Sequence, residues 1–172
     1  MRLVEGTVDV DDVDAFVSGL DGVASETDTT IQAFDARYVA SHRHLERAVE
    51  LADRAIDRGV AIARNRAVEI LLYAAGRRQI TDALELGVSE GPNRVVVLVD
   101  AGNGATDATD AEAAAADGLR ARVLDDAEPT LGDYDVEQVR EYFDVGDTEL
   151  DVVEGDLEAL VLERVALLVV ER

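Results

Sequence analysis

An α/β (α+β) fold, with several α-helices packed on a small central β-sheet in a single domain over residues 1–172, is what this sequence predicts. Three observations carry that expectation. Residues 94–100, Arg-Val-Val-Val-Leu-Val-Asp, form the continuous apolar run of a central strand. Two long segments, 43–56 and 65–86, repeat their apolar residues at helical spacing. No internal repeat or linker interrupts the chain, and 48% hydrophobic residues are enough for one sizeable core.

In chain order, residues 2–10 read as a strand, and a short helix over Val13 to Leu20 follows, with Gly19 and Gly22 near its end. Thr30 to Val39 alternates as a second strand, with Phe34, Ala36 and Tyr38 on one face. A long helix comes next. At 100° per residue from Arg43, Leu45, Ala48, Val49, Ala52, Ala55 and Ile56 fall between about 120° and 240° and define its core face. Arg43, Arg47, Arg54 and Arg58 lie beside a row of Glu46, Glu50, Asp53 and Asp57 on the opposite face.

Asn65 to Leu86 is apolar on more than one side and reads as a buried helix, with a left-handed stop at Gly76. Arg77, Arg78 and Gln79 then fall in the bend or in the first turn of a following helix. An alanine-rich helix is expected from Asp110 to Leu119, a short one from Val136 to Phe143, and a last one capped by Asp156. The last is apolar nearly all round, so it is either wholly buried or covered by a partner.

The chain has 38 acidic residues, 16 arginines and no lysine, for a net charge of -22. Such self-repulsion suits a medium that screens it; at about 1 M salt the Debye length is only ~3 Å. The expectation is a halophilic archaeal, cytoplasmic protein, since no apolar run spans a bilayer and the N-terminus lacks a signal-peptide pattern. Most acids, including Asp9, Asp11, Asp12 and Asp14, are then a solvated surface. One stretch escapes this drift. Between Arg37 and Arg78 nine arginines (37, 43, 47, 54, 58, 64, 66, 77, 78) face five acids (46, 50, 53, 57, 69), a charge of +4, which leaves -26 elsewhere. A basic exception in an acidic chain points to an anionic partner, unless those arginines pair with acids on their own helices.

Catalytic patterns are missing. Without cysteine there is no thiolate metal site or cysteine nucleophile. His42 and His44 point to different faces of a helix, so no shared metal is expected. Gly102-Asn103-Gly104 follows a strand, but Asp107 takes the third glycine position of a dinucleotide loop, and the segment reads as a turn. No cofactor, metal or small-molecule substrate is expected, and the protein is not expected to be an enzyme. What remains is the basic band, above all Arg64-Asn65-Arg66 and Arg77-Arg78-Gln79. Guanidinium forks and base stacking survive salt better than bare phosphate attraction, so the expected ligand is a single-stranded RNA end or loop, with Tyr73 or Tyr38 as stacking partners.

Gln32-Ala-Phe-Asp-Ala-Arg-Tyr-Val39, His44-Leu45 heading an alanine-spaced helix, Glu69-Ile-Leu-Leu-Tyr-Ala-Ala-Gly-Arg-Arg-Gln-Ile80 and the Val-Val-Val-Leu strand resemble the small kinase-binding (TPRKB-like) subunit of the archaeal KEOPS complex. The resemblance is strong over roughly residues 30–100. It implies a non-catalytic subunit of the machinery that installs threonylcarbamoyl on the adenosine beside the tRNA anticodon. Such a subunit binds the atypical kinase/ATPase subunit and recruits tRNA by its single-stranded CCA end. Carried onto this chain, it implies tRNA contact by Arg77, Arg78 and Gln79, with Arg64, Arg66 and His42 as weaker neighbours. The kinase side is expected on the last helix, through Leu160, Leu162, Val165, Leu167 and Val169. A small halophilic interaction module with no nucleic-acid role is the alternative.

Overall fold

The structure, a computed structural model, describes residues 1–170. The chain divides into two compact units, Met1–Ala36 with Gly87–Thr130, and Arg37–Leu86 with Leu131 onward. The class is α+β, as expected, and the sheet is antiparallel.

The first unit holds the sheet. Strands β1 (Arg2–Val10), β2 (Thr30–Asp35) and β3 (Gly91–Asp100) lie in the order β1-β3-β2. β3 is the centre because its residues Val95 to Val99 are wholly buried on both faces, as the apolar run predicts. Helices α1 (Val13–Thr27) and α5 (Ala108–Arg122) pack on it, so that Leu20, Val23, Ala115, Ala116 and Leu119 meet Val4, Ala33, Val95, Val97 and Val99. α1 begins at Asp12, whose carboxylate accepts from Ala15 N at 3.0 Å. It runs seven residues past its expected end at Leu20. Gly19 and Gly22 face open space, and Val23 behind them continues the apolar stripe into the core, which outweighs the ~1 kcal/mol cost of each glycine. β2 is shorter than expected, because the chain turns into a 3-10 segment at Ala36–Tyr38. β1 is covered along its outer edge, where Thr7 N donates to Asp126 O at 2.9 Å. Gly6 is required there, since a Cβ would lie 2.4 Å from Asp126 O.

The second unit is helical: α2 (His42–Asp57), α3 (Arg66–Ala75), α4 (Ile80–Ala83), α6 (Val136–Tyr142), α7 (Asp147–Val152) and α8 (Leu157–Leu167). Ser41 caps α2 and Asn65 caps α3, each side-chain oxygen accepting a backbone N–H at 3.2 Å. α3 stops where the sequence places its stop. Gly76 takes φ 61° and Arg77 N donates to Leu72 O at 3.1 Å. α2 and α3 form an antiparallel hairpin held by polar groups at both ends. At one end, Arg66 of α3 grips Asp53 of α2 with two hydrogen bonds of 2.7 and 2.8 Å. Beside that pair the buried Glu69 carboxylate accepts from Ile62 N at 3.1 Å and Ala63 N at 2.7 Å, folding the interhelical loop onto α3. At the other end His44, wholly buried, accepts from Ala40 N at 3.2 Å through Nδ1, which leaves Nε2 to donate to Ala74 O at 2.8 Å.

That imidazole is held neutral. Burial pushes its pKa from 6.5 to about 4, against the pull of the Ala74 carbonyl. Above pH 6.5 His44 is neutral in both folded and unfolded chains and contributes no pH dependence. Between pH 6.5 and 4 the unfolded chain takes up a proton that the folded one refuses, so stability falls by about 3 kcal/mol over that window. Urea denaturation of wild type and His44→Gln across pH 4–7 at fixed high salt is expected to show a shallower loss in the variant; parallel curves would refute the buried neutral imidazole.

Candidate functional site

The antiparallel hairpin sorts the expected RNA-binding residues into two groups. His44, in the first turn of α2, bonds Ala74 in the last turn of α3, so His42 lies at the same end as Arg77, Arg78 and Gln79. Arg64 and Arg66 sit at the opposite end, beside Asp53. The ten residues of α3 place the two ends about 15 Å apart. Arg64 and Arg66 are therefore not neighbours of Arg77, contrary to the expectation, because α3 runs straight between them.

Within the first group the roles divide again. The Arg77 guanidinium lies 4.6 Å over the Tyr142 ring and donates to the Tyr142 carbonyl. The Tyr142 hydroxyl donates to Asp82 O at 2.8 Å, and its ring meets Tyr38 edge to face at 5.6 Å. Burial pushes that hydroxyl up to about 12, and the charges of Glu85 and Asp82 add to the rise while Arg77 opposes it. The Tyr38 hydroxyl in turn donates to Glu85 at 2.9 Å. These groups wall an open cleft of ≈ 510 Å³ that Asp82, Glu85 and Glu141 also line. Three carboxylates against one guanidinium make this cleft a poor seat for phosphate. Arg77 is thus half-buried framework, whereas Arg78, Gln79 and His42 are exposed, and Arg78 has no ion-pair partner among the described residues.

Two further expectations are corrected. Tyr73 is 1% exposed and fills the core, so its ring offers no stacking surface. The apolar spacing that suggested a buried α3 carries this residue inward too. Tyr38 is nearly as deep, at 7%. Arg66, half-buried against Asp53, is a strut of the hairpin rather than a free ligand; Arg64 is exposed. The sequence reading missed Tyr142 as the support of Arg77 and Glu69 as the clamp of the loop; a lone acid inside Val68–Tyr73 was the available signal for the latter.

On α8, Leu160 and Val165 are core residues, together with Leu157, Val161 and Leu168, and this corrects their assignment to a partner surface. The all-round apolar pattern hid which arc packs inward. Leu162 is half-buried and Leu167 exposed, and with Ala159 and Ala166 they leave a largely apolar outer arc that the exposed Glu163 shares; Val169, half-buried, and Val170 lie in the turn past the end of α8. Leu162 also floors a groove of ≈ 370 Å³ walled by Arg43, Glu46, Arg47 and Glu50 of α2. On the other side Arg164 ties α8 down, donating to Phe143 O and Asp144 O at 3.0 Å each and to Glu149 at 2.6 Å.

The division between Arg77 and Arg78 is measurable by urea denaturation. Arg77→Ala, which loses the ring contact and a carbonyl hydrogen bond, is expected to destabilise by about 1–2 kcal/mol. Arg78→Ala is expected to stay within about 0.5 kcal/mol of wild type. Equal effects would contradict the framework role.

No helix among the described residues is long and apolar enough to cross a membrane. No curated protein matches the chain. The family model described as kinase binding protein CGI-121 matches residues 8–168, nearly the whole length. Its span takes in the Arg77–Gln79 bend and helix α8 alike, and on that match the chain belongs to the CGI-121 family of kinase binding proteins.

Proposed function

We propose that the protein is a non-catalytic regulatory subunit of a KEOPS-type tRNA threonylcarbamoyladenosine-modification complex, acting in the cytoplasm of a halophilic archaeon. It binds the atypical kinase/ATPase subunit and recruits tRNA by its single-stranded CCA end, with residues 1–172 serving as one kinase-binding-subunit domain. The family match carries the kinase part of this reading. The outer arc of α8 supports a place for it, because Leu162 and Leu167 are aliphatic side chains left partly in water beside the core face of the same helix. The tRNA part draws its support from Arg78 and Gln79, exposed side by side just past the end of α3, with His42 at the same end of the hairpin.

The chemistry of the two contacts differs. The kinase contact is apolar and gains from high salt, which strengthens burial. The RNA contact relies on short-range hydrogen bonds from the Arg78 fork and the Gln79 amide, since concentrated salt cancels most of the phosphate attraction. A second reading, an interaction module with no RNA role, has its own support: Arg66 pairs with Asp53 and Arg47 with Glu50, and carboxylates line the Arg77 cleft.

Leu162→Glu and Leu167→Glu are expected to abolish co-purification with the kinase subunit while circular dichroism and melting stay close to wild type. Retained capture would remove α8 as the kinase side. Arg78→Glu is expected to weaken binding to a CCA-ended tRNA by about tenfold in high salt, and undiminished binding would favour the interaction module. The purified chain alone is expected neither to hydrolyse ATP nor to modify tRNA; either activity would overturn the non-catalytic role.

A further inference from the structure

We propose that the far end of the α2–α3 hairpin is a second RNA contact, in which Arg54, Arg58 and Arg64 hold backbone phosphates of the same tRNA beyond its single-stranded end. This rests on the tRNA-binding reading and extends it to a surface about 15 Å from Arg78, the length of α3.

The three arginines are brought to one corner by interactions already described. Arg54 and Arg58 are four residues apart and share a face of the last turn of α2. The Arg66–Asp53 pair fixes the start of α3 against that turn, which brings Arg64, two residues before Arg66, to the same end of the hairpin as Arg54, one residue after Asp53. Glu69 removes the freedom of the connecting loop by accepting from Ile62 N and Ala63 N, immediately before Arg64. The backbone that carries them is thereby ordered before any ligand arrives, which lowers the entropy cost of binding.

All three side chains are exposed and have no ion-pair partner among the described residues. In a chain of 38 acids and 16 arginines that is a marked departure. The nearby carboxylates are otherwise engaged: Asp53 with Arg66, Glu50 with Arg47 and Glu69 with the loop backbone, leaving the exposed Asp57 as the one open acid of this turn. Helix electrostatics account for Arg54 and Arg58, which lie at the negative C-terminal end of α2, but not for Arg64. Arg64 precedes the positive N-terminal end of α3, where a cation is unfavourable, so its place serves something outside the fold. Ile56, Val60 and Ile62, each between 36% and 42% exposed, surround the corner with aliphatic surface on which ribose can rest.

The test compares wild type, the triple variant Arg54→Gln/Arg58→Gln/Arg64→Gln and Arg78→Glu, using full-length tRNA and a short single-stranded oligonucleotide ending in CCA. The triple variant is expected to lose about tenfold in tRNA affinity, with a salt slope lower by about 3, while binding the oligonucleotide as wild type does. Arg78→Glu is expected to weaken both. Arg64→Gln alone, expected to lower the slope by about 1, keeps the test open should the triple variant misfold. Unchanged tRNA affinity and slope in the triple variant, with Arg78→Glu impaired, would overturn this proposal and leave the tRNA reading intact. A wild-type chain that binds neither RNA would overturn the tRNA reading itself. Loss of kinase capture in the triple variant with tRNA binding unchanged would assign the corner to the kinase and also overturn the proposal.

Discussion

The antiparallel pairing of α2 with α3 decides where the charged residues of the helical unit end up, and polar contacts hold each end of it. Apolar packing alone would leave two helices free to slide by a turn, because Ala48, Ala52, Ala55 and Ala74 present small, repetitive surfaces. His44 and the Arg66–Asp53 pair remove that freedom. His44 Nε2 reaches across to Ala74 O in the interior and Arg66 grips Asp53 at the other end, and a slip by one turn would break both. Specific partners of this kind fix register, whereas methyl groups merely favour contact.

The same pairing explains why the basic band of the sequence is two surfaces rather than one. Arg64 and Arg78 are only fourteen positions apart in the chain, yet α3, buried from Glu69 to Ala75, lies between them. Arg77 belongs to neither surface. Its guanidinium is flat enough to lie on Tyr142 while donating to that residue's carbonyl, a combination the point charge of a lysine ammonium would not reproduce. It also offsets part of the charge of Asp82, Glu85 and Glu141 around the cleft. Gly76, one residue earlier, is needed twice over: its φ of 61° makes the bend, and a Cβ there would lie 3.2 Å from Arg164 O of α8. The bend that exposes Arg78 is therefore set by α8 packing as well as by α3.

Much of this was legible in the sequence because the relevant signals are local. Asp156 announces its helix through a side-chain cap, Gly76 through its place after an apolar run, and β3 through five consecutive aliphatic residues. Failures occurred where the deciding partner is distant. Gly19 and Gly22 read as a helix end until Val23 is seen packing under Gly118 of α5. α7 went unread because it has no buried residue and hence no apolar period. Leu160 and Leu162 are alike in one dimension, and only the third shows one in the core and the other on the outer arc. The family resemblance located the Arg77–Gln79 motif, but the motif does not say that its first arginine is framework.

The acidic drift of the chain gives the surviving arginines their meaning. In concentrated salt an exposed ion pair is worth little, so there is small benefit in keeping arginines merely to neutralise neighbouring acids. The ones with a clear structural task are partly withdrawn from solvent: Arg66 against Asp53, Arg164 across three acceptors, Arg77 on its ring. Arg54, Arg58, Arg64 and Arg78 have no such partner among the described residues, and they are exposed. A side chain that is exposed, unpaired and opposite in sign to the rest of the surface contributes little to folding, and at Arg64 it works against a helix end. Retaining it makes physical sense where an anion approaches closely enough for directed hydrogen bonds, the one electrostatic interaction that strong salt leaves largely intact.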